Sequence, residues 1–172
     1  MNRMAQTFEA GPCGASEDPA HSEALMALAL AEAEAAPAHG DVPIGAIVVH
    51  EGEVIARAHN RRDVDADPTA HAEILALRAA AKALGTWYLT GCELYVTLEP
   101  CAMCAGALVL ARVRSLTFGA PDPKAGACGS VFNLVQSPRL NHRLEVSGGV
   151  LGERCAEVLS AFFEELRASK AN

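Results

Sequence analysis

Two short stretches carry the residue types that could do chemistry: His71-Ala72-Glu73 and Pro100-Cys101-Ala102-Met103-Cys104. Cysteines three positions apart share one face of a helix, because that spacing is close to a 3.6-residue turn. Proline suits the first helical position, where its missing N–H costs nothing, so Pro100 predicts a helix that begins there. Cys101 and Cys104 then fall in a first turn, beside unpaired N–H groups and the positive end of the helix dipole. That environment favours the thiolates a metal needs. His71 offers an imidazole to the same borderline-soft cation. Three protein ligands leave the fourth corner of a tetrahedral zinc open for water, the pattern of a catalytic site rather than a closed structural one. Glu73, two residues from a ligand, can reach such a water without joining the metal and can carry its proton to a leaving group. Cys-x-x-Cys alone reads equally as a redox pair or a buried helix face; the upstream His-x-Glu and the proline decide for zinc.

The elements that must bring these turns together follow from periodicity. A helix is expected from His21 or Ser22 to near Pro37 and Gly40, with apolar positions at Leu25, Met26, Leu28 and Leu30. Val42 to His50 and Val54 to Ala58 read as two strands joined at Glu51-Gly52, an antiparallel hairpin. The polar stretch from Asn60 to Pro68 reads as a loop. Thr69 to Leu84 reads as a helix with Ile74, Leu75, Leu77 and Ala81 on its apolar side, stopped by Gly85. Glu93 to Leu98 alternates as a strand and delivers the cysteine helix, which continues to about Ala111. Ser115 to Gly119 and Leu144 to Val146 are short strands around a long Gly- and Pro-rich loop, and loops of that length inside a compact domain are often functional. Glu153 to about Ser169 closes the chain as a helix carrying Val158, Leu159, Phe162 and Phe163. Strands alternating with helices imply an α/β fold, a three-layer α/β/α sandwich on a central mixed sheet, with its site where helix N-termini meet strand ends.

At 172 residues the chain suits one domain. Residues 1–20, with Gly11-Pro12, Gly14 and Pro19, read as a flexible N-terminal extension, and residues 21–172 as the folded domain. A hydrophobic fraction of 51% with 20% charged residues is that of an ordinary globular protein, and no apolar run reaches the length of a membrane span. The N-terminus has no apolar signal region, and Cys13, Cys92, Cys128 and Cys155 show no disulfide framework, so the expectation is a cytoplasmic protein with reduced thiols. Net charge is −7, yet between 112 and 143 five cations (Arg112, Arg114, Lys124, Arg139 and Arg143) meet Asp122 alone. That local excess could hold a phosphate backbone on an otherwise acidic chain.

The stretch from about His21 to Phe163 resembles the bacterial tRNA-specific adenosine deaminases, in the cytidine deaminase-like superfamily. The resemblance rests on Val42-Pro43-Ile44-Gly45-Ala46, on Asp67-Pro68-Thr69-Ala70-His71-Ala72-Glu73-Ile74 and on the run from Tyr95 to Ala107 around Pro-Cys-x-x-Cys. Phe118-Gly119-Ala120, Gly129-Ser130, Asn141-His142-Arg143 and Phe162-Phe163 extend it. The zinc motifs alone specify nucleobase deaminases as a class. The resemblance implies a homodimer with one zinc per subunit that converts the wobble adenosine of an arginine tRNA anticodon to inosine, with no organic cofactor. By position it makes His71, Cys101 and Cys104 the zinc ligands and Glu73 the proton shuttle. Asn60 matches the contact to a flipped adenosine, while Asp122, Lys124, Asn141, His142, Arg143, Phe162 and Phe163 match positions near the anticodon loop. The sequence departs from the family pattern at Arg62, at Pro121 and at Glu164-Glu165, where a basic tail is common. Two alternatives stand beside this reading: deamination of a free guanine- or cytosine-type base or nucleotide, and a noncatalytic zinc-bound RNA-binding subunit. An intact Glu73 argues against the latter.

Overall fold

The computed structural model describes residues 18–170, with the backbone alone at Lys170. Most of the N-terminal extension expected from the sequence, residues 1–17, lies outside the described residues.

Helix α1 (Pro19–Ala33) starts earlier than the sequence reading of His21 or Ser22. Asp18 precedes Pro19, and its carboxylate accepts the Ala20 N–H at 3.0 Å, so an acidic cap and a first-turn proline set the start together. A 3-10 turn, Ala36–His39, follows and ends at Gly40. Strands β1 (Gly45–His50) and β2 (Glu53–His59) form the expected antiparallel hairpin. Its turn residues have left-handed backbones, Glu51 at φ 52° and Gly52 at φ 80°, which match the twist of paired strands.

The stretch expected to be a plain loop holds a short helix, α2 (Arg62–Asp65). The buried Asp41 carboxylate accepts the Asp63 and Val64 N–H groups, at 3.1 and 3.4 Å, and stabilises that turn from a distant part of the chain. Helix α3 (Ala72–Leu84) starts three residues later than Thr69, because Thr69 is engaged by the Asp67 carboxylate through both its N–H and its hydroxyl. Its buried face is Ala72, Glu73, Ala76, Leu77 and Ala80, whereas Ile74 and Leu75 are only half-buried. Small side chains let the helix lie close on the sheet, so the larger ones sit at the flanks. Gly85 ends α3 at φ 66°, as expected.

Strand β3 (Glu93–Leu98) leads into α4 (Ala102–Leu110), then β4 (Ser115–Ala120), β5 (Glu145–Gly148) and α5 (Gly152–Lys170). The sheet order is β2-β1-β3-β4-β5, with β1 antiparallel to both neighbours and β3, β4 and β5 parallel. This is the mixed sheet the sequence implied. Helices α3 and α4 pack on one face through Ala76, Leu77, Leu108 and Val109 against Val48, Leu94, Val96 and Leu116. Helices α1 and α5 cover the other through Met26, Leu30 and Cys155 against Ile47, Val49 and Tyr95. β3 is buried on both faces from Leu94 to Thr97, because helices cover both sides of the sheet. No helix among the described residues is long and apolar enough to cross a membrane.

Candidate active site

The functional turns meet where α3 and α4 begin, beside the C-terminal end of β3. His71 is the N-cap of α3 and Cys101 the N-cap of α4, with Cys104 in the first turn. Pro100 therefore precedes the cap and is not the first helical residue, a correction to the sequence reading. Its carbonyl accepts the Ala127 N–H at 2.8 Å. His71 Nδ1 lies 3.8 Å from Cys101 Sγ and 3.6 Å from Cys104 Sγ, and the three donor atoms all fall within 4.8 Å of one another. They form a cluster that could hold a metal ion. Cys104 is buried, while His71 and Cys101 are partly open to solvent.

Hydrogen bonds from Cys104 and His71 hold Cys101 down to about 3. The same bond to Cys101, then burial, pushes Cys104 up. His71 is raised, chiefly by its hydrogen bond to Cys101. Glu73, only 3% exposed in the first turn of α3, is raised above the usual carboxylate range by burial.

Asn60, at the end of β2, is buried beside this turn. Its Oδ1 accepts the Ala72 N–H at 2.9 Å and so satisfies one of the unpaired donors of α3. Its amide nitrogen makes no hydrogen bond to any described residue. Asn60 thus has a structural role as well, as a cap on the helix that carries Glu73.

Glu99 was not among the sequence candidates, although it directly precedes Pro100-Cys101. Its carboxylate is 2% exposed and accepts N–H groups from Asp122 at 3.0 Å, Cys128 at 2.9 Å and Ser130 at 3.0 Å, together with the Ser130 hydroxyl. Burial alone would raise this carboxyl, but the bonds from Ser130, Asp122 and Cys128 outweigh it and hold the group below its ordinary range. The only local signal was an acidic residue directly after β3 and before Pro100.

The outer candidates are spread more widely. Asp122 opens the loop that Glu99 binds, and its side chain accepts the Lys124 and Ala125 N–H groups at 2.9 and 3.2 Å; Lys124 itself is exposed. That loop adjoins the metal turn through a bridge between Cys101 and Gly126. Asn141 and Arg143 are exposed, and the His142 ring donates from Nε2 to the Val113 carbonyl at 2.7 Å. This segment lies beyond the C-terminal end of α4, about 14 Å of helix from Cys101. Phe162 and Phe163 meet edge to face, with centroids 5.4 Å apart, on α5 across the sheet from α3 and α4. The structure thus brings His71, Glu73, Cys101, Cys104 and Asn60 together, sets Asp122 and Lys124 in an adjoining loop, and places the remaining candidates elsewhere on the surface.

A family model described as MafB19-like deaminase matches residues 20–167. The tRNA-specific adenosine deaminase of Bacillus subtilis (strain 168) is 56% identical over 148 residues, covering 86% of this chain and 92% of that protein. A solved structure from studies of A-to-I editing by tRNA:A34 deaminases at the wobble position superposes with a TM-score of 0.77 at 48% identity, covering 79% of this chain and 99% of that one. A structure of guanine deaminase from Nitrosomonas europaea matches at a TM-score of 0.68 and 28% identity, over 92% of this chain and 98% of that one. With a family match that spans the sheet and both metal-binding turns, and with identity this high to the curated relatives, the chain belongs to the tRNA-specific adenosine deaminases.

Proposed function

We propose that residues 21–172 form a zinc-dependent hydrolase that deaminates the wobble adenosine of an arginine tRNA anticodon loop to inosine. The observation that carries this reading is a buried Glu73, raised by burial, beside a three-donor cluster at the mouths of two helices. The donor set fits zinc. Bonds of about 2.3 Å to sulfur and 2.05 Å to nitrogen at a tetrahedral angle set those donors about 3.6 Å apart. The observed separations are 3.8 and 3.6 Å. Two sulfurs and an imidazole also disfavour the hard, oxygen-seeking cations.

His71, Cys101 and Cys104 would hold the zinc. When bound it supplies Lewis acidity, which makes hydroxide available at neutral pH. Glu73 takes one water proton as oxygen bonds to C6 of adenine and passes it to the neighbouring ring nitrogen N1; it then takes the remaining proton from that oxygen and delivers it to the amine as the C6–N bond breaks. Water is consumed and ammonia released. Burial raises Glu73, which suits a carboxylate that must hold a proton between those transfers. The amide nitrogen of Asn60 bonds to no described residue and is suited to a hydrogen bond with the flipped nucleoside. An anticodon loop is already single-stranded, so extruding its base costs little. Lys124 and Arg143 would pair with phosphates, Asp122, Asn141 and His142 with loop nucleotides, and Phe162 and Phe163 would offer stacking faces.

The chain is proposed to act as a homodimer. An open cavity of about 710 Å³ is lined by Ala102, Gly106, Leu110, Phe132 and Leu140, and Leu110 is 73% exposed. An apolar face of that kind suits a second copy of the same surface. The five described cysteines are free thiols, which favours the reducing cytoplasm.

The free-base reading draws support from the guanine deaminase likeness and from the −7 charge. An anticodon stem-loop with wobble adenosine, assayed beside guanine, cytosine and adenosine, decides between them. The stem-loop is expected to be converted and the small substrates left nearly unchanged. Rapid turnover of a free base with an unreactive stem-loop would overturn the tRNA reading.

A further inference from the structure

Glu99 is a buried carboxylate whose compensation comes from one loop. None of the ion pairs among the described residues includes it. Its acceptors are instead filled by residues 122, 128 and 130, which bend around it as an anion-binding nest. Gly126 permits the approach: a Cβ there would stand 2.4 Å from Glu99 Oε2 and 2.6 Å from the Asp122 carbonyl. The same loop is stitched to the metal turn by the Ala127 N–H on the Pro100 carbonyl and by the bridge from Gly126 to Cys101. Glu99 also continues β3 into register with β4, since its own N–H donates to the Ala120 carbonyl at 2.9 Å. The Glu99 side chain therefore holds the loop that displays Asp122 and Lys124, while backbone bonds tie that loop to the Cys101 turn and Glu99 itself to β4.

We propose that Glu99 is a positioning residue: its carboxylate holds the 121–130 loop as a fixed wall beside the metal turn and so presets the loop's RNA-facing side chains. The proposal rests on the deaminase reading above for its substrate, and on the hydrogen-bond pattern alone for the loop. A loop held in advance costs less to order when RNA binds. Its contacts act on bound substrate and transition state alike, so their loss raises KM and leaves kcat nearly unchanged.

The test uses Glu99→Gln, which keeps the volume but turns an NH2 group towards N–H donors, and Ser130→Ala, which removes the hydroxyl donor without disturbing the strand. Three readouts are taken on each full chain: bound zinc, amide hydrogen exchange across 121–130, and steady-state deamination of an anticodon stem-loop. Expected for Glu99→Gln are retained zinc, loop amides exchanging at least about ten-fold faster, KM raised about ten-fold and kcat within about two-fold. Ser130→Ala should show the same pattern with about a three-fold rise in KM. Unchanged loop exchange and KM in both variants, with an active wild type, would overturn the proposal. So would loss of zinc or a collapse of kcat at constant KM, since either makes Glu99 part of the metal site. If the wild type leaves the stem-loop untouched, the tRNA reading is what fails, and the exchange measurement still decides whether Glu99 holds the loop.

Discussion

Asn60 separates a structural from a chemical role within one side chain. Its Oδ1 caps the Ala72 N–H in a buried setting, so Asn60→Ala strands a donor at the start of the helix that carries Glu73. An orphaned buried donor costs about 1–3 kcal/mol, and loss of an N-cap typically about 1 kcal/mol. Taking about 1.5 kcal/mol, and about 2–4 °C per kcal/mol for a chain of this size, the melting temperature should fall by about 3–6 °C. Asn60→Asp retains the acceptor, and a carboxylate at a helix N-terminus is favoured by the dipole, so most of that loss should be recovered. The amide donor is absent from both variants, and both should lose deamination of an anticodon stem-loop. Thermal unfolding by circular dichroism, with inosine formation measured on the same preparations, checks the two roles. An Asn60→Ala protein as stable as wild type would refute the capping argument. An active Asn60→Asp protein would refute the amide contact.

Three further outcomes follow from the site and its surroundings. His71→Ala and Cys101→Ala should each lose bound zinc, because two remaining donors cannot close the site; full zinc by elemental analysis in either variant would show a wrong ligand set. Lys124→Ala or Arg143→Ala should weaken stem-loop binding and lower the slope of log K against log salt by about one, with zinc unchanged; an unaltered slope would remove that cation from the phosphate contacts. Leu110→Glu places a charge on the apolar α4 surface and should yield a monomer by light scattering, and a dimer that persists would place the subunit contact elsewhere.

What the sequence disclosed, and what it hid, follows from the range of the interactions. His71, Glu73, Cys101 and Cys104 stand out because the chemistry fixes their spacing within single turns, and the hairpin is legible because Glu51-Gly52 demands a particular backbone. On α3 the sequence identified Leu77 correctly but overrated Ile74 and Leu75, because alanines pack closest where sheet and helix are nearest. Helix α2 was invisible because Asp41, which holds it, lies 22 residues from Asp63. Glu99 escaped for the same reason, since its partners lie between 23 and 31 residues away along the chain. Pro100 carries a carbonyl that binds the loop, which local helix rules do not anticipate.

The most direct test of the account is a single-turnover assay of a wobble-adenosine stem-loop with wild type and Glu73→Ala, each shown beforehand to hold the same amount of zinc. The account predicts inosine from the wild type, and a rate lower by about 10²- to 10⁴-fold for Glu73→Ala with zinc retained. A Glu73→Ala protein that forms inosine at a near-normal rate would contradict it, because the buried carboxylate would then have no part in moving the proton.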